Sequence, residues 1–174
     1  VSGYGTGGTV SGVGRVLREK SPGTKIILTE PENAALIGSE LKQDRHSDNT
    51  PATSHSSWNP HLIQGWTPDF IPFVLQEAID NNYFDKLLPV SGEQGITWAK
   101  RLARAEGIIT GISGGSTFAI AMEVAKDAPP DSNILCMLPD TGERYLSSPL
   151  FEEIPEEMTD DEKKISLSTP NYQL

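Results

Sequence analysis

Hydrophobic and polar positions near the start of the chain alternate between helical and strand-like patterns. Apolar residues recur at helical spacing between Val10 and Lys20, and the Ser-Pro-Gly sequence at 21–23 ends the run. The next stretch, TKIILTEP at 24–31, is short, rich in β-branched residues and closed by proline. This order predicts a helix followed by a buried strand.

The middle of the chain contains a long polar segment between two ordered regions. NAALIGSEL at 33–41 permits another short helix, and residues 42–59 are polar and aperiodic, which predicts a surface loop. A proline-rich stretch at 60–79 leads into a short helix, and DKLLPV at 85–90 is the next strand candidate.

The last third of the pattern alternates in the same way. Ser91 and Gln94 form a predicted capping box, and Gly107 ends the helix that follows them. The later elements are predicted in the order strand, second glycine turn, buried helix, strand and loop, with the sequences IITGI (108–112), SGGS (113–116), TFAIAMEVAKD (117–127), NILCMLPD (133–140) and TGERYLSSPLF (141–151).

Alternation of strands and helices predicts an α/β fold. We expect an open, mostly parallel twisted sheet with helices on both faces. Both glycine turns would then lie at the carboxyl edge of the sheet, where ligands of such folds bind.

Composition limits the classes of function. The chain has 174 residues and a formal charge of −10, which fits one domain and argues against a nucleic-acid partner. Seven acidic residues and two lysines fall within 152–174, which we expect to be a flexible acidic tail. We expect no membrane partner and a cytoplasmic location, because no long apolar segment or signal peptide is visible. The single Cys136 lies in an apolar run and is expected to be a buried, unreactive thiol.

The first glycine turn, residues 5–9, carries the strongest chemical signal. Glycines before a helix let the unpaired N–H groups of its first turn approach an anion, and two threonine hydroxyls add donors. The turn lacks the Gly-Lys-Ser/Thr ending of a Walker motif, and its match to the dinucleotide-binding glycine pattern is weak. The residues therefore indicate a phosphate site, while a tight turn that binds nothing remains open.

Four stretches resemble, in the same order, the C-terminal half of the cysteine synthase family. They are SGYGTGGTVSGVGRVLREKSPGTKII, HLIQGWTPDFIP, AEGIITGISGGSTFAIA and LPDTGERYLSSPLF. Members of that family, which includes cystathionine β-synthases, are pyridoxal-phosphate (PLP) enzymes with the tryptophan-synthase-β fold. The resemblance implies that residues 1–151 are part of a C-terminal PLP-binding domain, incomplete in this chain.

The resemblance also implies roles for individual residues. The 5′-phosphate of PLP would be held by Gly5, Thr6, Gly7, Gly8 and Thr9. Ser113 would donate a hydrogen bond to a neutral pyridine nitrogen, although a serine at this place could also be a plain helix N-cap. Gln64 and Gly65 would form a loop beside the substrate's amino group. Thr67 stands where the family commonly has a second glycine, which leaves substrate preference open, and Trp66 is expected to pack in the core.

No catalytic residue is expected within this chain itself. The lysines at 20, 25, 42, 86 and 100 match no Schiff-base motif and have solvent-facing patterns. The family places that lysine in its N-terminal half, so we expect the rest of the protein to precede Val1. His46, His55 and His61 lack metal-ligand spacing, so no metal site is predicted.

The function implied for the intact protein is that of a cysteine synthase. This transferase or lyase of cysteine biosynthesis would replace the acetate of O-acetylserine with sulfide. The resemblance further implies a homodimer and binding of serine acetyltransferase. A cystathionine β-synthase-like reaction and a non-catalytic domain that binds PLP, phosphate or a partner protein are the alternatives.

Overall fold

The sheet has three parallel strands in the residues that the structure, a computed structural model, describes, which are 1–168. They are β1 (Ser2–Gly3), β2 (Ile27–Pro31) and β3 (Lys86–Val90), in the spatial order β1-β2-β3. Ser2 lies opposite Leu28, and Leu28 lies opposite Leu87. The prediction of a parallel sheet is confirmed.

Helices connect and cover these strands. Their bounds are α1 (Gly8–Lys20), α2 (Phe73–Asp80), α3 (Gly92–Glu106), α4 (Ile112–Lys126) and α5 (Asp160–Ser168). Short 3₁₀ turns span Glu32–Ala34 and Gly142–Tyr145. The segment at 33–41 is therefore mostly irregular and not the short helix that its sequence permits.

The two faces of the sheet pack against different helices, as the alternation of strand side chains requires. Ile27 belongs to a core cluster with residues of α3 and α4, whereas Leu28 belongs to a second cluster with residues of α1 and α2. All five residues of β2 are buried, as expected for a central parallel strand. Helices on both faces are thus confirmed.

The predicted capping box at the start of α3 is present. Gln94 N–H donates to the Ser91 hydroxyl over 3.0 Å, and Ser91 N–H donates to the Gln94 side chain over 3.0 Å. Gly107 ends α3 with a left-handed φ of 69°. A side-chain cap of this kind contributes about 1 kcal/mol to stability.

The second glycine turn predicted at 113–116 is wrong, because these residues form the first turns of α4. Its glycines permit close helix packing. A Cβ on Gly115 would lie 2.0 Å from the carbonyl oxygen of Gly95 in α3, and a Cβ on Gly114 would lie 2.0 Å from the Thr110 hydroxyl. Tertiary packing therefore outweighs the low helix propensity of glycine.

Neither of the two later predicted strands forms. In IITGI, Thr110 makes only an isolated bridge to Thr141, and α4 begins at Ile112. In NILCMLPD, the amino group of Val1 donates to Leu135 O over 2.8 Å and Met137 N donates to Val1 O over 3.1 Å. Both backbone hydrogen bonds are to Val1, and bonds to a single residue do not form a β-ladder.

Residues 152–168 are exposed and include α5, whereas residues 169–174 lie outside the described part of the chain. The flexibility expected of the acidic tail stays a prediction. Within residues 1–168, no helix combines the length and apolar character that a membrane crossing requires.

Candidate functional site

The first glycine turn borders a small cavity at the N-terminus of α1. The cavity has a volume of about 60 Å³ and is lined by residues 3–10. α1 has no side-chain cap and no acidic residue in its first turn. The first N–H groups of a helix lack intrahelical partners and carry the positive end of its dipole. This end of α1 can therefore bind an anion.

Glycine is required at two positions of the turn. Gly7 has a φ of 90°, and a Cβ there would lie 2.6 Å from Cα of Leu75 in α2. A Cβ on Gly5 would lie 2.4 Å from the carbonyl oxygen of Gly65. The turn thus lies directly against both α2 and the loop that contains Gln64 and Gly65.

The loop of Gln64 and Gly65 is exposed, but the residue that follows it is not. Trp66 is buried in the core, and a Cβ on Gly3 would lie 1.9 Å from its indole ring. The expected packing role of Trp66 is therefore observed. Because β1 contains Gly3, this contact anchors the loop to the strand that leads into the first glycine turn.

Thr67 has a backbone conformation that favours glycine. Its φ is 37°, in the left-handed region where β-branched residues are rare. Its N–H donates to Tyr4 O over 2.9 Å, and its carbonyl accepts from Trp58 Nε1 at 3.1 Å and His61 Nε2 at 3.2 Å. These bonds hold the threonine in this conformation.

Ser113 lies in the first turn of α4 and is 3% exposed. The N-cap of α4 is Gly111, so Ser113 is not the N-cap. α4 packs against β1, which leads directly into the first glycine turn. The fold therefore brings the helix that carries Ser113 and the first glycine turn to the same strand.

A tyrosine that the sequence did not single out packs beside Ser113. Tyr145 is buried, and a Cβ on Gly111 would lie 2.3 Å from its ring. Its hydroxyl donates to Asp140 Oδ2 over 2.6 Å. Burial, followed by the bond to Asp140, raises the pKa of Tyr145, while the nearby Ser113 hydroxyl acts to lower that pKa.

A buried carboxyl group supports the start of the first glycine turn. The Tyr4 hydroxyl donates to Glu30 Oε2 over 2.5 Å, and the backbone N–H groups of Ile37 and Gly38 donate to the same carboxyl at 3.2 and 2.8 Å. Glu30 is 2% exposed, and this burial raises its pKa. A charged residue inside the apolar run IILTEP is the sequence signal for the buried Glu30 carboxyl, but no sequence signal identifies Tyr4 as its partner.

The remaining polar candidates lie outside this arrangement. Among the described residues, no group of His, Cys, Asp and Glu could hold a metal ion. No lysine lines the cavity at the first glycine turn. Lys100 differs from the expected solvent-facing pattern, because it is half-buried and pairs with Glu153 at 3.1 Å. Burial raises the pKa of the Cys136 thiol to about 11.

Comparison with known proteins decides the family. The profile of the family described as "Pyridoxal-phosphate dependent enzyme" matches residues 1–140. This chain belongs to that family. The resemblance and the fold expected from it are therefore confirmed, and the family's cofactor is PLP.

Relatives within the family show what the chain is similar to. O-ureido-L-serine synthase of Streptomyces lavendulae is 40% identical over 169 residues, covering 97% of this chain and 46% of that relative. A cysteine synthase of Staphylococcus aureus is 34% identical over 151 residues, covering 87% of this chain and 42% of that relative. A crystal structure of O-ureido-L-serine synthase matches with a TM-score of 0.76 at 39% identity, covering 95% of this chain and 46% of that chain. The chain thus spans less than half the length of these relatives.

The residues present fit the phosphate group of PLP. The cavity at the first glycine turn is lined by backbone and by Thr6 and Thr9, whose side chains are exposed. Only glycine fits at position 5, because a Cβ there would meet the carbonyl oxygen of Gly65. Backbone N–H groups, threonine hydroxyls and a helix N-terminus are the donors that bind phosphate in proteins.

Proposed function

We propose that this chain is the PLP-binding part of a cysteine synthase, which converts O-acetylserine and sulfide into cysteine and acetate. The observation that carries the proposal is the uncapped N-terminus of α1 behind the first glycine turn, with Gly5 in close contact with Gly65. The 34% identity to a cysteine synthase over 87% of the chain supports the choice of reaction.

The first glycine turn would hold the phosphate of PLP. The backbone of Gly5, Gly7 and Gly8 offers N–H donors, and the hydroxyls of Thr6 and Thr9 add two more. A phosphate monoester carries up to two negative charges, which the positive end of the α1 dipole stabilises. These contacts fix the position of the cofactor without taking part in bond breaking.

Ser113 would orient the ring of PLP, and the loop of Gln64 and Gly65 would orient the substrate. The Ser113 hydroxyl would face the pyridine nitrogen, and the exposed loop would lie beside the substrate's amino group. When bound, PLP supplies an electron sink that permits loss of the substituent on the substrate's β-carbon. Burial of Ser113 keeps water from competing for its hydroxyl.

The lysine that links to the cofactor and moves the substrate's α-proton would come from outside these residues. The relatives are more than twice the length covered here, which supports an N-terminal half that carries this lysine. The same proposal includes a cytoplasmic homodimer that can bind serine acetyltransferase. These last features rest on the family resemblance alone.

The experiment is a product analysis of the full-length protein that contains these residues. The purified protein is given O-acetylserine together with sulfide in one reaction mixture and O-acetylserine together with homocysteine in another. The products of both mixtures are identified by mass spectrometry. Faster formation of cysteine than of cystathionine supports the proposal. Faster formation of cystathionine would favour the cystathionine β-synthase-like reaction. Absence of bound PLP would contradict both and favour a non-catalytic binding domain.

A second candidate is synthesis of O-ureido-L-serine. The 40% identity over 97% of the chain favours it, and Thr67 departs from the glycine common at the substrate loop of cysteine synthases. The same replacement with hydroxyurea as the nucleophile would give this product. Competition of hydroxyurea with sulfide in one reaction mixture, followed by quantification of both products, separates the two candidates.

A further inference from the structure

Two side chains donate hydrogen bonds to the backbone just after the loop of Gln64 and Gly65. Trp58 Nε1 and His61 Nε2 donate to the carbonyl oxygen of Thr67 over 3.1 and 3.2 Å. A carbonyl oxygen can only accept, so the His61 ring carries its hydrogen on Nε2. Nδ1 of the same ring is buried and has no hydrogen-bond partner within the part of the chain that the structure describes. Both side chains therefore direct their ring N–H to one backbone oxygen.

The backbone of Thr67 is strained. Its φ is 37°, and a proline follows it at position 68. β-branched residues are rare in the left-handed region, and a residue before proline favours extended backbone with a negative φ. Such conformations persist only where the surrounding structure holds them, and they cluster at ligand-binding sites. Thr67 is 1% exposed, and its hydrogen bonds to Tyr4, Trp58 and His61 oppose the strain.

The chain that supplies the first donor is itself anchored. Trp58 lies near the end of the polar segment at 42–59 and packs, partly buried, against the second core cluster. Asn59 Nδ2 donates to Asn33 O over 2.9 Å, and Asn33 Nδ2 donates to Pro60 O over 2.9 Å. This reciprocal pair ties the chain after Trp58 to the 3₁₀ turn that follows β2. The indole N–H thus comes from a fixed support outside the loop.

The loop between these donors and Thr67 lies against the first glycine turn. Trp66 N–H donates to Ile63 O over 3.3 Å and closes a turn with Gln64 and Gly65 at its centre. The carbonyl oxygen of Gly65 lies so close to Gly5 that a Cβ there would be 2.4 Å from it. A shift at the end of the loop would therefore change the position of the loop relative to the first glycine turn.

We propose that Trp58 and His61 are positioning residues, which hold Thr67 in its strained conformation and thereby place the loop of Gln64 and Gly65 for the substrate's amino group. The inference rests on the proposed role of that loop. Neither side chain lines the cavity at the first glycine turn. Removal of either donor should therefore weaken binding of the amino acid and leave the affinity for PLP unchanged.

A double-mutant cycle in the full-length protein loaded with PLP tests this role. Trp58→Phe removes the indole N–H but keeps an aromatic ring, and Thr67→Gly lets the backbone adopt a positive φ without strain. The measured quantity is the dissociation constant of L-alanine, followed by the absorbance of the cofactor. L-alanine has the amino and carboxylate groups of the substrate but no leaving group. Trp98→Phe is the matched control, because Trp98 packs on Phe118 between α3 and α4.

Trp58→Phe should weaken L-alanine binding by about tenfold, and the same change in the Thr67→Gly background by less than about threefold. His61→Leu should act in the same direction as Trp58→Phe, and Trp98→Phe should leave the dissociation constant of L-alanine unchanged. The affinity for PLP should be the same in all of these variants.

Equal L-alanine dissociation constants of Trp58→Phe and the wild-type protein would overturn the inference. It would also be overturned if Trp58→Phe had the same effect with Thr67 and with Thr67→Gly, because the donor would then not act through the strain. Both results leave PLP binding intact, and neither depends on which nucleophile the enzyme uses. Absence of bound PLP in the wild-type protein would overturn the proposed function and this inference with it.

Discussion

The Tyr4 hydroxyl and the Glu30 carboxyl form a buried hydrogen bond of 2.5 Å directly before the first glycine turn. Glu30 is on β2 and Tyr4 follows β1, so the bond ties the turn to the central strand. Two backbone N–H groups complete the shell of Glu30. Burial nevertheless raises its pKa above the ordinary value of 4.5, so ionisation of this group opposes folding.

The free energy of unfolding should therefore decrease as pH rises through the range in which Glu30 titrates. The folded state binds this proton more tightly, so the stabilising effect is complete below pH 4.5 and is lost as pH rises through the raised pKa. Glu30→Gln should remove this contribution to the slope of unfolding free energy against pH. The contribution is no more than about 1.4 kcal/mol per pH unit. Urea unfolding between pH 4 and 8 measures both slopes.

Glu32→Gln is the matched control, because Glu32 is exposed and close in sequence. It should leave the slope unchanged. If Glu30→Gln and the wild-type protein have parallel profiles across this range, the pKa of Glu30 is not raised in the folded protein.

Tyr4→Phe should have the opposite consequence for the same carboxyl group. It removes a donor that lowers the pKa of Glu30, so the loss of stability with rising pH should become steeper. At neutral pH we expect a destabilisation of about 1–3 kcal/mol, the usual result of leaving a buried acceptor short of a donor. Unfolding curves at pH 5 and 7 check both statements, and a variant as stable as the wild-type protein at pH 7 would contradict them.

Gly5→Ala should weaken PLP binding by at least about tenfold, or 1.4 kcal/mol. Its Cβ would lie 2.4 Å from the Gly65 carbonyl and would force the turn and the loop apart. Gly12→Ala is the control, since it lies inside α1 with no atom within 4 Å of the new methyl group. Gly12→Ala should stabilise the helix by about 0.5–1 kcal/mol and leave PLP affinity unchanged. Equal PLP affinities of Gly5→Ala and the wild-type protein, by absorbance titration, would exclude this geometry.

Gly115→Ala should destabilise the protein by about 1–3 kcal/mol, the usual cost of overpacking. The new methyl group would lie 2.0 Å from Gly95 O and would push α3 away from α4. Gly23→Ala meets no atom within 4 Å and should be close to neutral. Thermal unfolding of the two variants measures the difference, and similar melting temperatures would show that α3 and α4 are not packed this closely.

Local signals in the sequence predicted the elements that depend on local chemistry. The capping box of Ser91 and Gln94, the end of α3 at Gly107 and the strands at 27–31 and 86–90 all follow from spacing and composition. The start of α1 directly behind the first glycine turn was also predictable from the sequence, and every helix N-terminus has unpaired N–H donors.

Elements that depend on tertiary contacts could not be predicted in this way. SGGS is typical of a turn, yet it is helical because α3 leaves room only for glycine at Gly115. NILCMLPD has the composition of a strand, but a strand requires a neighbour along its length. The bonds of Tyr145 to Asp140 and of Tyr4 to Glu30 involve no motif, and only the fold brings each pair together.

A crystal structure of the full-length protein with PLP will show whether the first glycine turn holds the cofactor's phosphate. We expect phosphate oxygens about 2.7–3.2 Å from backbone nitrogens of the first glycine turn and the start of α1. We also expect the pyridine nitrogen beside Ser113. A cofactor phosphate bound at any other place, with no contact to the first glycine turn, would show that this turn is not the phosphate site.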